Sequence, residues 1–267
     1  CKGVILSGGG EPLLHPRFIQ ALELLKKKKL KIGVNTNGLA LDRAKAEAIA
    51  ECCEYCRISL DCGDAKLYRV THGMDKRAFA AVIENIRYLA VFKQKTGSSL
   101  SLGTGFLTGG ETVSQMDSFV KLSKECGVDF AQFRPFQEDM TDISAEYARL
   151  RQKYEDKSFQ VLASMQKYEA FQGGMAKPYD HCRGLFFSTV ITANARVYAC
   201  LHHRQDPRYL IGDMREGKSF ADIWSSYRKW QVFEEIDVQG CPAFCRNDAI
   251  NRTLDGLSKK VFHQEFL

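Results

Sequence analysis

The sequence lacks any apolar run near the roughly 20 residues that a membrane-crossing helix needs. Its most apolar stretch, residues 184–191, has the length of a buried strand. It lacks a secretory leader at its first residues: Cys1 stands where Met would open a chain, and an apolar strand follows at once. It lacks low-complexity tracts and any internal repeat beyond a strand–helix unit, which argues against linkers and repeat arrays. It lacks a strong charge imbalance. The formal net charge is +6 with 26% charged residues, a balance compatible with a phosphate or sugar-nucleotide ligand without demanding one. The lysine run 26–29 closes a helical pattern, where cations suit the helix dipole, and is read as a solvated end, not a nucleic-acid patch. What remains is a globular chain of 267 residues with no nucleic-acid or membrane partner, long enough to bury a core without disulfide staples.

Ten cysteines are present. In a chain of this size they are read as free thiols and a metal site in a reducing cytosol, hence a cytoplasmic protein. Cys1, Cys52, Cys53, Cys56, Cys62 and Cys126 lie in or beside apolar segments. Cys182, Cys200, Cys241 and Cys245 cluster in the last third among Gly, Pro, His and Arg.

The first 140 residues alternate strand and helix. Strands are predicted at 3–7, 31–35, 56–60, 100–107 and 130–136. Helices are predicted from the spacing of Phe18, Ala21, Leu22 and Leu25, from the N-cap Asp42 to Cys53, and from Phe79, Val82, Ile83, Ile86 and Leu89. Val113, Met116, Phe119 and Val120 give another, and residues 142–172 read as one or two more. Five such units predict an α/β fold with a parallel sheet, open or closed into a partial barrel. After Gly173-Gly174 the pattern changes to a hairpin over 184–200 turning at Ala193-Asn194-Ala195, a short helix near 220–230 and a cysteine-bearing loop. The domain boundary is expected near residue 175, giving domains 1–175 and 176–267.

The C-terminal ends of parallel strands form the ligand face, and here every strand ends in small or polar residues. These are Ser7-Gly8-Gly9-Gly10-Glu11-Pro12, Asn35-Thr36-Asn37-Gly38, Ser59-Leu60-Asp61, Gly103-Thr104-Gly105 and Gln132-Phe133-Arg134-Pro135. Glycines there let backbone groups approach a ligand closely, and a carboxylate on the same rim suits an amine or ribose hydroxyls. In the last third, two cysteines flanking a hairpin plus the pair Cys241 and Cys245 converge as four thiolates, suited to zinc or an iron–sulfur cluster. The spacing alone does not choose between them.

The run Ser7 to Pro12 resembles the GGEP motif of radical S-adenosylmethionine (SAM) enzymes. Asn35 to Gly38 and Arg57 to Asp61 are similar to that family's next two strand ends. The resemblance implies a partial (β/α)6 barrel and SAM held by Gly8, Gly9, Gly10, Glu11, Asn35, Asn37, Ser59, Asp61 and Arg134, with Glu11 at the amino group. A second Gly-Gly-Glu, at Gly109 to Glu111, follows the family's fifth strand, lacks the following Pro and is read as a chance copy of the motif. The family's CxxxCxxC loop, which binds the catalytic [4Fe–4S] cluster, occurs nowhere in the chain. The resemblance therefore implies that the first strand–helix unit lies before Cys1 and that this chain alone is inactive. Cys52, Cys53 and Cys56 have the wrong spacing and are read as structural thiols.

The last third resembles the SPASM or twitch auxiliary-cluster domain, through Cys182, Cys200, Gly212-Asp213, Ile223-Trp224, Cys241 and Cys245, with Ala195 in place of the hairpin Gly. That implies one auxiliary [4Fe–4S] cluster on Cys182, Cys200, Cys241 and Cys245, in a small α+β domain. His181, His202 and His203 flank these ligands without being counted among them. The whole enzyme is expected to abstract a hydrogen atom from a peptide or small molecule through a 5′-deoxyadenosyl radical, with flavodoxin or ferredoxin as electron donor. Two other readings stay open: a zinc-stabilised, non-catalytic binding module on a degenerate barrel, and a nucleotide-sugar enzyme using the Gly-rich strand end for phosphate.

Overall fold

The computed structural model describes residues 1–110, 112–136, 139, 141–165, 167–168, 177–242 and 245–258. The chain forms two compact units, residues 1–168 and residues 169–267. The boundary expected near residue 175 lies outside the described residues, as does Glu111 of the second Gly-Gly-Glu.

The first unit is a six-stranded parallel sheet in chain order: β1 (Gly3–Leu6), β2 (Lys31–Thr36), β3 (Tyr55–Ser59), β4 (Ser101–Thr108), β5 (Phe130–Pro135) and β6 (Gln160–Ala163). The connecting helices are α1 (Phe18–Lys27), α2 (Arg43–Cys52), α3 (Ala65–His72), α4 (Lys76–Thr96), α5 (Met116–Glu125) and α6 (Ser144–Tyr154). Asp42, Asp64 and Asp75 cap α2, α3 and α4 by accepting backbone N–H bonds. Strand β6 corrects the all-helical expectation for residues 142–172. It is four residues long, pairs with β5 alone, and only Val161 in it is fully buried, so it leaves no readable alternation.

The period of two divides the sheet into unlike faces. Ile32, Val34, Cys56, Ile58, Phe106 and Phe133 form an apolar face packed with Leu22, Ile49, Ile86 and Phe119 of the helices. The other face carries Gly33, Asn35, Tyr55, Arg57, Ser59, Gly103, Gly105, Gln132 and Arg134, placed side by side by the strand register. Gly103 is required there, since a Cβ would fall 2.1 Å from the Phe130 ring, which stacks on Tyr55 at 5.8 Å.

The second unit has an antiparallel sheet of β7 (Val190–Ile191), β8 (Arg196–Tyr198) and β9 (Leu210–Asp213), with α7 (Phe220–Trp224), α8 (Tyr227–Glu235) and α9 (Asp248–Ser258). The strand expected over 184–191 is instead a 3-10 turn at Arg183–Phe186 followed by the short β7. The Gly184 N–H goes to Asn251 Oδ1 at 2.7 Å, and a Cβ on Gly184 would fall 2.6 Å from Asn247 Cβ, so this backbone packs on the start of α9 and not in a sheet. The hairpin turn is closed by Ala195 N–H on the Thr192 carbonyl, with Ala195 itself at φ +60°. The helix expected near 220–230 is split where the Ser225 and Ser226 hydroxyls bond back to the Ala221 and Ile223 carbonyls. Lys229 is buried, its ammonium 3.2 Å over the Trp224 ring and 4.7 Å over Phe186, which in turn packs on Trp230. No helix among the described residues is long and apolar enough to cross a membrane.

Candidate functional site

A cleft of about 480 Å³ opens at the C-terminal ends of β1, β2 and β3, lined by residues 7–11, Asn35, Thr36, Asn37 and Ser59. Its wall is held by Glu11. One carboxylate oxygen accepts the Leu13 N–H at 3.0 Å and the Thr36 hydroxyl at 2.6 Å; the other accepts the Asn37 N–H at 2.8 Å. Glu11 thereby ties the end of β1 to the end of β2. A carboxylate offers about four acceptor positions, so an incoming amine would be its fourth partner. Gly9 and Gly10 have open space where a Cβ would stand, and Asn35 Oδ1 is a buried acceptor with no partner among the described residues. A glycine floor, a spare carboxylate position and an orphaned amide oxygen fit a ligand bearing an amine and hydroxyls, as SAM does.

The expected site residues therefore divide. Gly8, Gly9, Gly10, Glu11, Asn35, Asn37 and Ser59 share the cleft, whereas Asp61 and Arg134 are not among its lining residues. Asp61 sits at φ +51° and turns its carboxylate onto the Leu107 N–H at 2.7 Å, 3.9 Å from His72 Nε2. Burial pushes its carboxyl above the usual aspartate value, against the Leu107 N–H, His72, Arg134 and Arg57. The native state thus keeps this proton to higher pH than the unfolded chain does. The associated stability is full below the unfolded aspartate value and is lost as pH rises through the native value. Asp61→Asn, which keeps the acceptor and tolerates positive φ, is expected to melt higher than the parent at neutral pH and to lose that pH dependence. Thermal melts from about pH 4 to pH 8 check this.

Farther along the same face Arg57 Nη1 donates to Gln132 Oε1 at 2.6 Å. Burial, then the nearby Arg57 charge, hold the Arg134 guanidinium below its ordinary value. Arg57 and Gln132 were missed as separate site residues in the sequence, although Arg57 shares a face with Ser59 by the strand period.

In the second unit Cys182 and Cys200 are buried, and Cys241 and Cys245 partly so. Burial raises the thiols of Cys200, Cys241 and Cys245, Cys241 to about 12, and neighbouring cysteines of the set raise each further, so the four lie within electrostatic reach of one another. Among the described residues no three His, Cys, Asp or Glu side chains are gathered tightly enough to grip a single metal ion. Donors surround the sulfurs: Asn251 Nδ2 lies 3.4 Å and Asn247 Nδ2 3.8 Å from Cys182 Sγ, and His203 Nε2 lies 3.3 Å from Cys241 Sγ. His203 also packs at a tilt against Tyr209, and His181 stacks on Phe233. A thiol set ringed by N–H donors has the chemistry of an iron–sulfur site, where such bonds tune the potential. In the first unit Cys53 and Cys56 are buried thiols, Cys56 raised to about 12 by burial.

Residues 1–123 match the radical SAM superfamily and residues 182–247 the SPASM iron–sulfur cluster-binding domain. The chain belongs to the radical SAM superfamily. Its cofactors are S-adenosylmethionine and [4Fe–4S] clusters. Over 130 residues it is 27% identical to the tungsten-containing aldehyde ferredoxin oxidoreductase cofactor-modifying protein of Pyrococcus furiosus, covering 48% of this chain and 36% of that protein. The fold is shared with SuiB of Streptococcus suis bound to precursor peptide SuiA, at 15% identity and TM-score 0.64, over 90% of this chain and 60% of that one. It is shared too with anSMEcpe carrying bound AdoMet and the Kp18Cys peptide, at 15% identity and TM-score 0.57, over 87% and 69%. The chain thus spans 36% of the curated relative's length and 54% of the SuiB chain in another of its crystal structures.

Proposed function

We propose that this radical SAM chain is the barrel and auxiliary-cluster portion of an enzyme that modifies a peptide by hydrogen-atom abstraction. The observation that carries the reading is the cleft at the ends of β1 to β3, where Glu11 fixes two strand ends and Asn35 Oδ1 has no partner among the described residues. Gly9 and Gly10 leave its floor open to the cofactor's methionyl end, and Asn35, Asn37 and Ser59 line the rest. When bound and reduced, S-adenosylmethionine supplies a 5′-deoxyadenosyl radical. The chain's own residues bind it, orient it and keep water from the inner face. Cys182, Cys200, Cys241 and Cys245 hold one auxiliary [4Fe–4S] cluster, with Asn247, Asn251 and His203 as N–H donors to its sulfurs. The similarity of residues 182–247 to the SPASM iron–sulfur cluster-binding domain favours a cluster over the zinc-stabilised module. A peptide substrate draws support from the peptides bound to SuiB and anSMEcpe. A cofactor-type small molecule is the second reading, favoured by the cofactor-modifying Pyrococcus relative. Flavodoxin or ferredoxin supplies the electron.

The test is anaerobic incubation with SAM and dithionite, with 5′-deoxyadenosine measured by chromatography. No CxxxCxxC occurs in residues 1–267, so that polypeptide alone is expected to give none, and one that also includes such a loop is expected to give product. Product from residues 1–267 alone would overturn the assignment of the cleavage to that loop.

A further inference from the structure

We propose that Arg57, Gln132 and Arg134 form a seat for a carboxylate of the substrate on the inner face of the sheet, apart from the cofactor cleft. The proposal rests on the reading of the chain as a SAM-dependent enzyme. Arg57 Nε and Arg134 Nε are both buried N–H donors with no hydrogen-bond partner among the described residues. The register sets them on one face: Arg57 stands beside Gly103, Ser59 beside Gly105, Gly105 beside Gln132, and Leu107 beside Arg134. Gly105 makes the room, since a Cβ there would lie 3.3 Å from Arg57 Nε. Gln132 Oε1 occupies one Nη1 of Arg57 and leaves its Nε free.

Among the described residues neither guanidinium has a carboxylate hydrogen-bonded to it. The carboxylate that acts on Arg134 is Asp61, which is already bonded to the Leu107 N–H and which burial keeps toward its neutral form. Two guanidinium groups brought within electrostatic reach and partly stripped of water, each with an unused donor, are destabilising by themselves. They are complementary to a planar anion whose two oxygens offer about four acceptor positions. Neither Arg57 nor Arg134 lines the cleft of Ser7 to Glu11. The shared chemistry, a carboxylate, has two sources: the substrate, or the methionyl end of the cofactor. The placement across β3 and β5 favours the substrate.

The experiment compares the chain with Arg57→Gln and Arg134→Gln, using malonate as the carboxylate probe and S-adenosylhomocysteine as the cofactor probe. Malonate, against sodium chloride of equal ionic strength, is expected to raise the melting midpoint of the parent with and without S-adenosylhomocysteine. Both variants are expected to lose that rise and, without ligand, to melt a few degrees above the parent because a stored repulsion is gone. Their affinity for S-adenosylhomocysteine, by equilibrium dialysis, is expected to change less than about twofold. A loss of about tenfold there assigns the arginines to the cofactor's own carboxylate and overturns the proposal. So does a parent indifferent to malonate, or variants that melt lower, which would make the pair structural. Should no protein bind S-adenosylhomocysteine, the SAM reading fails, while the malonate arm still decides the seat.

Discussion

Glu11→Ala is expected to lower stability by about 3 kcal/mol and to abolish measurable binding of S-adenosylhomocysteine. The carboxylate accepts the Leu13 N–H from the 3-10 turn that follows it, and the Thr36 hydroxyl and Asn37 N–H from the end of β2. Alanine strands all three donors at once, and an unpaired, partly buried donor costs about 1–3 kcal/mol. The Gly38 N–H that the Thr36 hydroxyl oxygen accepts at 3.0 Å does not replace Glu11, because the hydroxyl still has its own proton to donate. Glu11→Gln is the sharper variant. It keeps the shape and one acceptor, but its amide nitrogen must face either the Thr36 hydroxyl or the Asn37 N–H. A loss of about 1–2 kcal/mol is expected, with cofactor binding weakened and not abolished. Chemical denaturation of the three proteins, paired with equilibrium dialysis, checks both parts. Unchanged stability in the alanine variant would mean that the carboxylate does not join β1 to β2.

The second large effect concerns iron. Anaerobic reconstitution with iron and sulfide is expected to load about four irons on residues 1–267, and none on the variant with Cys182, Cys200, Cys241 and Cys245 all changed to alanine. The remaining six cysteines offer no competing site, because Cys53, Cys56, Cys62 and Cys126 are buried thiols in the apolar core. The variant is also expected to lose order in the second unit. Its core is small, and Cys182 itself packs in it with Tyr179, Leu185 and Val197. Metal analysis, together with the visible absorption that separates a brown iron–sulfur protein from a colourless zinc one, reads the outcome. Four irons retained by the quadruple variant would move the cluster elsewhere.

How much of this was legible in the sequence follows from where each side chain spends its polarity. The strands β1 to β5 and the glycine-rich end after β1 were readable because apolar residues recur at short range and the polar ones gather at the ends. Helix α3 was not predicted: its only fully buried side chain is Tyr68, and Val70 points outward. Helix α9 was missed for a different reason. Asn247 and Asn251 look like surface residues in a sequence, yet both are buried, with bonds to a backbone N–H, a hydroxyl and a sulfur. In the site, the cleft residues were readable as a run, while the bond of Asp61 to the Leu107 N–H accompanies a positive φ that no composition announces. The Arg57–Gln132 contact joins residues 75 positions apart, which only the sheet register brings together.

The two tryptophans of the whole chain, Trp224 and Trp230, both stand in the second unit, around Phe186 and the buried ammonium of Lys229. Intrinsic indole fluorescence is therefore a private optical channel for the cluster-bearing unit, and the barrel is dark in it. Emission during iron loading reports one half of the molecule, and comparison with far-ultraviolet dichroism, which both halves contribute to, separates their melting without any added label.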